Sequence, residues 1–194
     1  MTQPNNAIVA RTAQIPHIEV ILPVFNEADN IDMLIKLLGS AAKRLQGQAK
    51  LTYLFINDGS TDGTRKILGK LLDTRDDVRV IHLLHNFGHN AALSAGLDHF
   101  KADIALIMDA DLQDPPEALV DMFEAWKQGA KTVVAERGRR PEKNGLLFKA
   151  FYFLLHKTAR TLSPTLLLPL GGLGLLARGR PAAQVIPAVQ AWAA

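Results

Sequence analysis

The sequence predicts an α/β fold with a mostly parallel central sheet and helices on both faces. Three observations lead there. Short apolar runs alternate with amphipathic stretches from Ile18 to Ala135. One run, Ile104 to Met108, reads as a buried strand because it is apolar throughout. A polar cluster follows each of the first four runs, at the strand ends where open parallel sheets bind ligands.

The elements follow in order. Ile18 to Val24 is a strand, and Asn26 is placed to cap the next helix, whose apolar positions Ile31, Leu34, Ile35, Leu38 and Ala42 share a face. Leu51 to Ile56 is a second strand. Asn57 to Thr64 is a turn rich in small residues, with Ser60 as cap for a helix through Leu72. Val78 to Leu84 is a third strand, His85 to Asn90 a loop, and a helix runs on to about Phe100. Ile104 to Met108 is the fourth strand, Pro115 to Gln128 a helix and Lys131 to Ala135 a fifth strand.

The chain has 194 residues, 48% hydrophobic and 21% charged, enough for one domain with a core. The absence of cysteine excludes disulfides, thiolate metal sites and a thiol nucleophile. Residues 1–16 lack the pattern of a signal peptide, and no run of 18 apolar residues predicts a membrane-spanning helix. Charge is unevenly spread. Residues 1–142 hold 16 basic and 19 acidic residues, a net −3, whereas residues 143–194 hold 6 basic and none acidic. A basic, acid-free, apolar segment points to a membrane surface. Within it Leu146, Leu147, Ala150, Phe151, Leu154 and Leu155 form a stripe that suits either a membrane interface or the face of the sheet. From Ser163 onward, prolines and glycines argue against a regular helix.

Asp109 and Asp111 carry the sharpest chemical signal. Two carboxylates one residue apart at a strand end point the same way, since side chains alternate faces. Such a pair repels itself without a cation and suits a hard divalent ion, Mg²⁺ or Mn²⁺, which can bridge to a diphosphate. Gln113 adds an oxygen ligand if the chain stays extended, and Asp114 caps the helix that opens at Pro115. Asp58, beside Gly59, suits a base N–H or a ribose hydroxyl. Pro23, Asn26 and Glu27 close the first strand. His85 and His89 flank Gly88 as weaker candidates. Arg137, Arg139 and Arg140 form a cation cluster suited to phosphate. No Gly-x-Gly-x-x-Gly follows the first strand, which argues against a dinucleotide-binding oxidoreductase.

At four ordered motifs the chain resembles the family 2 glycosyltransferases of GT-A fold, and most of all the branch that makes polyprenyl-phosphate sugars, the dolichyl-phosphate mannose synthase-like and undecaprenyl-phosphate enzymes. The motifs are Ile21 to Glu27, Asn57 to Thr64, Asn86-Phe87-Gly88 with Ala91-Ala92-Leu93, and Asp109 to Glu117; Phe151-Tyr152 matches a further position. The resemblance covers roughly residues 18–163. It implies a nucleotide-sugar donor held by Pro23, Asn26, Glu27, Asp58, Asp109 and Asp111. It implies Mg²⁺ or Mn²⁺ on Asp109, Asp111 and Gln113, and an acceptor phosphate met by Arg137 and Arg140. The implied reaction is inverting transfer of a sugar from a UDP- or GDP-sugar to a polyprenyl phosphate, by a peripheral protein at the cytoplasmic membrane face that binds no nucleic acid. Asp111, Asp114, Arg137 and Arg140 are then the catalytic candidates. A phosphate acceptor, with a second pKa of about 6, is already a dianion near neutral pH and needs little help from a base. A saccharide acceptor needs a carboxylate base, for which Asp114 is the nearby candidate.

The implied organisation is an extension over 1–17, a GT-A domain over 18–142 and a basic apolar segment over 143–194 that is membrane-associated and truncated or altered. His85 stands where this branch often has arginine. Gly172 to Arg178 stands where the family has an Asp-Phe-Arg-like motif, and the anchoring helices of many relatives are missing. A nucleotide-sugar-binding paralogue or fragment without activity is the competing expectation.

Overall fold

Apolar runs without a polar interruption need cover on both sides, and a parallel sheet between helices provides it. The computed structural model describes residues 15–130, 132–135, 174–177 and 183–186. Along the chain these form β1 (His17–Val24), α1 (Ile31–Arg44), β2 (Lys50–Asn57), α2 (Thr64–Thr74), β3 (Val78–His82), α3 (His89–His99), β4 (Ile104–Ile107), α4 (Ala118–Lys127), β5 (Thr132–Ala135), β6 (Gly174–Ala177) and β7 (Ala183–Ile186). The strand order is β3-β2-β1-β4-β6-β5-β7. β1 pairs in parallel with β2 and β4, and β2 with β3. β6 runs antiparallel to both its neighbours, while β5 and β7 are parallel. The expected mostly parallel sheet is therefore present. Its last two strands, drawn from beyond residue 142, were not anticipated.

The two faces of the sheet are unequal. Ile18, Val20 and Leu22 of β1 pack with Leu34 and Leu38 of α1, Leu68 of α2 and Phe123 of α4 in the larger core. On the opposite face Ile21, Leu54, Ile56 and Ala105 meet Ala92 of α3. Here α3 lies close to the strands. A Cβ on Gly96 would come within 2.4 Å of Ile21 Cγ2, so a larger residue fits only if the Ile21 side chain or the helix shifts. Near the amino end of this face Glu19, 1% exposed, accepts hydrogen bonds from Arg79 Nη1 (2.7 Å) and the Lys101 amide (2.8 Å). Arg79 also donates to the His99 carbonyl, which ties the end of α3 to the sheet.

Several boundaries differ from expectation. α4 starts at Ala118, not Pro115; the Ala118 amide instead closes a turn onto the Pro115 carbonyl at 3.0 Å. Consecutive prolines disfavour helical geometry in the residue before each. Strands β3 and β4 end before Leu83-Leu84 and Met108, respectively. The apolar stripe from Leu146 to Leu155, with the pair Phe151-Tyr152, and Arg137, Arg139 and Arg140 lie outside the described residues. Among the described residues no helix is long and apolar enough to cross a membrane.

Candidate functional site

Beyond the carboxyl ends of the central strands lies a cleft of about 310 Å³. Pro23, Phe25 and Glu27 line it from the end of β1 and the loop after it, Asp58 from the loop after β2, and Asp109 and Asp111 from the loop after β4. Asn86, Gly88 and His89 add the wall in front of α3. Six residues singled out from the sequence thus converge: Pro23, Glu27, Asp58, His89, Asp109 and Asp111. Asn26, Gln113 and Asp114 do not line the cleft.

Asn26 works as a strut. Its backbone has φ 57°, a conformation that asparagine tolerates better than most residues. Its Oδ1 accepts the Thr61 amide at 2.8 Å, and its own amide donates to Ser60 Oγ at 3.0 Å. The Glu27 amide donates to Thr64 Oγ1 (2.9 Å) and the Ala28 amide to Asp62 Oδ2 (3.2 Å). The first loop is therefore stitched to the second by these hydrogen bonds, and the expected capping roles of Asn26 and Ser60 are corrected. Asn30 and Gly63 hold the N-cap positions of α1 and α2, neither with a side-chain cap bond. Desolvation pushes the Asp62 carboxyl up, but hydrogen bonds from Thr64 and Ala28 outweigh it and hold the group below its ordinary value.

Asp58, 3% exposed, is a clamp on the third loop. Its Oδ1 accepts the Phe87 amide at 2.8 Å and its Oδ2 the Gly88 amide at 2.9 Å. Gly59 (φ 67°) permits the approach, because a Cβ there would lie 2.4 Å from the His85 carbonyl carbon. Asn57 orders the turn: its Oδ1 accepts the Ser60 amide at 3.0 Å, which directs its Nδ2 to His82 Nδ1, also at 3.0 Å. Burial, then the charge of Arg65, lowers the His82 pKa and keeps that nitrogen an acceptor. His85 stacks on Phe87, centroids 3.7 Å apart, and is not among the residues lining the cleft.

Beyond β4 the side chains keep alternating. Met108 and Ala110 are buried (0% and 3% exposed), while Asp109 and Asp111 face the cleft. The alternation stops at Leu112, whose φ of 61° turns the chain. The Gln113 amide then closes onto Asp111 Oδ1 at 3.0 Å, and the Gln113 side chain is exposed away from the cleft. The extended backbone on which the expected Gln113 ligand depended is therefore not present at Leu112. Asp114 is 3% exposed, and Glu117 rather than Asp114 occupies the N-cap of α4, so its capping role is corrected as well.

Among the described residues no group of three or more histidine or carboxylate side chains is placed to hold a metal. The described residues thus do not form a wholly protein-built cage. Two adjacent, partly exposed carboxylates nevertheless fit Mg²⁺, which keeps several waters and takes its other oxygens from substrate phosphates.

Two residues were underrated in the sequence. Phe25, 42% exposed, offers an aromatic face in the cleft; the available signal was a large apolar side chain lodged between a strand end and Asn26-Glu27. His89 places Nε2 3.7 Å from Asp109 Oδ1.

The pattern known as glycosyl transferase family 2 matches residues 19–175. The glycosyltransferase YkcC of Bacillus subtilis is 39% identical over 145 residues, which cover 70% of this chain and 42% of that one. The bactoprenol glucosyl transferase of Shigella phage SfV is 34% identical over 146 residues, 74% of this chain and 47% of that protein. The chain thus spans less than half the length of these relatives. Among solved structures, the Pyrobaculum calidifontis mannosyltransferase PcManGT in complex with GDP-Man and Mn²⁺ superposes with a TM-score of 0.59 at 23% identity, covering 86% of this chain and 46% of that one. Glucosyl-3-phosphoglycerate synthase from Mycobacterium tuberculosis, in complex with UDP, gives 0.57 at 22% identity, covering 84% and 57%. These likenesses bear out the expected GT-A fold. Since the family pattern runs through the strand-end motifs that build the cleft, the chain belongs to glycosyl transferase family 2.

Proposed function

We propose that the chain carries the donor site of an enzyme that transfers a sugar, with inversion, from a nucleoside diphosphate sugar to a polyprenyl phosphate. The observation that carries this reading is the meeting of Pro23, Phe25, Glu27, Asp58, Asp109 and Asp111 in one cleft at the strand ends. The names of the bactoprenol glucosyl transferases support the lipid acceptor.

The residues divide the work. Phe25 offers a stacking face for the base, and Asp58 fixes the loop that forms the opposite wall. Asp109 and Asp111 would hold Mg²⁺ or Mn²⁺, which supplies Lewis acidity to the departing diphosphate. An oxygen of the acceptor phosphate attacks the anomeric carbon as the bond from that carbon to the diphosphate breaks, and a nucleoside diphosphate leaves. The dianionic acceptor requires no proton to be removed, so positioning and charge stabilisation carry the catalysis. Asp114 is buried and off the cleft wall, which weakens the reading with a saccharide acceptor and Asp114 as base. Arg137 and Arg140 would receive the acceptor phosphate, and the basic residues of 143–194 would bring the protein to the cytoplasmic face of the membrane, while β6 and β7 from that segment extend the sheet of the GT-A domain expected over 18–142.

The test is transfer of labelled sugar from UDP-glucose or GDP-mannose to undecaprenyl phosphate in detergent with Mn²⁺. A label that becomes extractable into organic solvent, and remains in water without the lipid, supports the reading. Binding of donor without any transfer identifies a binding module instead.

A further inference from the structure

The cleft has a problem of charge. Four carboxylates, Glu27, Asp58, Asp109 and Asp111, lie in its wall, and a diphosphate brings further negative charge. A divalent cation on Asp109 and Asp111 is itself balanced by those two carboxylates, so a hydrogen-bond donor to the diphosphate has a further part to play. Among the described residues lining the cleft, His89 is the only basic one.

Its placement suits the task. His89 is the first residue of α3, where the helix macrodipole favours an anion. The Asp58 clamp on the Phe87 and Gly88 amides holds the chain just before it, so the ring starts from a fixed backbone. Its Nε2 lies 3.7 Å from Asp109 Oδ1, too far for a good hydrogen bond. The side chain is 47% exposed, so its ring remains open to a ligand beside Asp109. The nearby His85, at the position where an arginine was expected, is turned onto Phe87 and off the cleft wall.

We infer that His89 is a donor-binding residue: its ring N–H donates a hydrogen bond to the diphosphate of the nucleotide sugar and stabilises it as it leaves. This inference rests on the nucleotide-sugar reading of the cleft.

Calorimetry on the full chain at saturating Mn²⁺ tests it, with UDP and GDP against UMP and GMP. His89→Ala is expected to weaken diphosphate binding roughly ten- to hundredfold, the range for a hydrogen bond to a charged group, and to leave monophosphate binding unchanged. His89→Gln, which keeps an N–H donor, is expected to recover most of the loss. Equal diphosphate affinity in wild type and His89→Ala overturns the inference. So does an equal loss for mono- and diphosphates, which marks a disturbed fold, or a change confined to the Mn²⁺ concentration required, which marks a metal ligand. If wild type itself binds neither diphosphate, the nucleotide-sugar reading falls first and takes this inference with it.

Discussion

Glu19, near the start of β1, and Asp109, just past the end of β4, are acidic residues on adjacent central strands, and they sit in contrasting surroundings. Glu19 is 1% exposed, with one oxygen on the Arg79 guanidinium and the other on the Lys101 amide. Asp109 is 20% exposed and faces a cleft it shares with Asp111 and Asp58. A carboxylate closed off by a cation and an amide anchors the fold, here by fastening the end of α3. Carboxylates gathered at an open cleft and reached by solvent are suited to an incoming cation. The same residue type therefore separates a structural end of the sheet from a ligand end.

Substitutions at the two ends should separate stability from activity. The largest effect is expected at the ligand end: Asp109→Ala or Asp111→Ala should lower sugar transfer roughly 10²–10³-fold, the scale for losing one preorganised charge-stabilising group. Thermal unfolding of Asp111→Ala should move by no more than about 0.5 kcal/mol, as for other partly exposed positions. At the structural end the pattern reverses. Glu19→Ala removes the buried acceptor of the Arg79 guanidinium and the Lys101 amide and should cost about 2 kcal/mol in denaturant titration, with nucleotide affinity of the folded protein unchanged. Gly96→Ala, on the same face, forces a Cβ to within 2.4 Å of Ile21 Cγ2 and should cost about 2 kcal/mol, read as a lower denaturation midpoint.

The smallest effect concerns pH. His82 has a folded pKa below its ordinary value, through burial and then Arg65. A depressed value favours the neutral ring in the folded state. The stabilisation is then complete above the unfolded pKa of about 6.5 and fades as pH falls through the lower folded value. An NMR titration of His82 should show a midpoint below 6.5, and Arg65→Gln should raise it. A midpoint unmoved by that substitution contradicts the assigned cause.

Much of this was readable from the sequence, for a physical reason. Strands buried on both faces show up as apolar runs, and ligand residues in parallel sheets fall just after them, so β1 to β5 and the cleft carboxylates were found by position alone. The errors share a different cause. Asn26 and Ser60 are residue types that cap helices, but the same oxygens can reach amides far along the chain, and the sequence does not say which. Asp58 takes the amides of residues 29 and 30 positions away, a pairing set by tertiary structure. Gln113 is not among the cleft-lining residues because Leu112 adopts φ 61° and turns the chain, which nothing about a leucine announces. Strands β6 and β7 are four residues each, within a stretch rich in Gly, Pro and Ala, too short to show a period.

The central claim is that the open end of the sheet binds a nucleoside diphosphate through a cation on Asp109 and Asp111. Calorimetry of the wild-type chain with UDP and GDP, with and without Mn²⁺, tests it most directly. The account predicts binding of at least one of them that needs Mn²⁺ and disappears in Asp111→Ala. Binding that persists without the metal, or undiminished in Asp111→Ala, would contradict it.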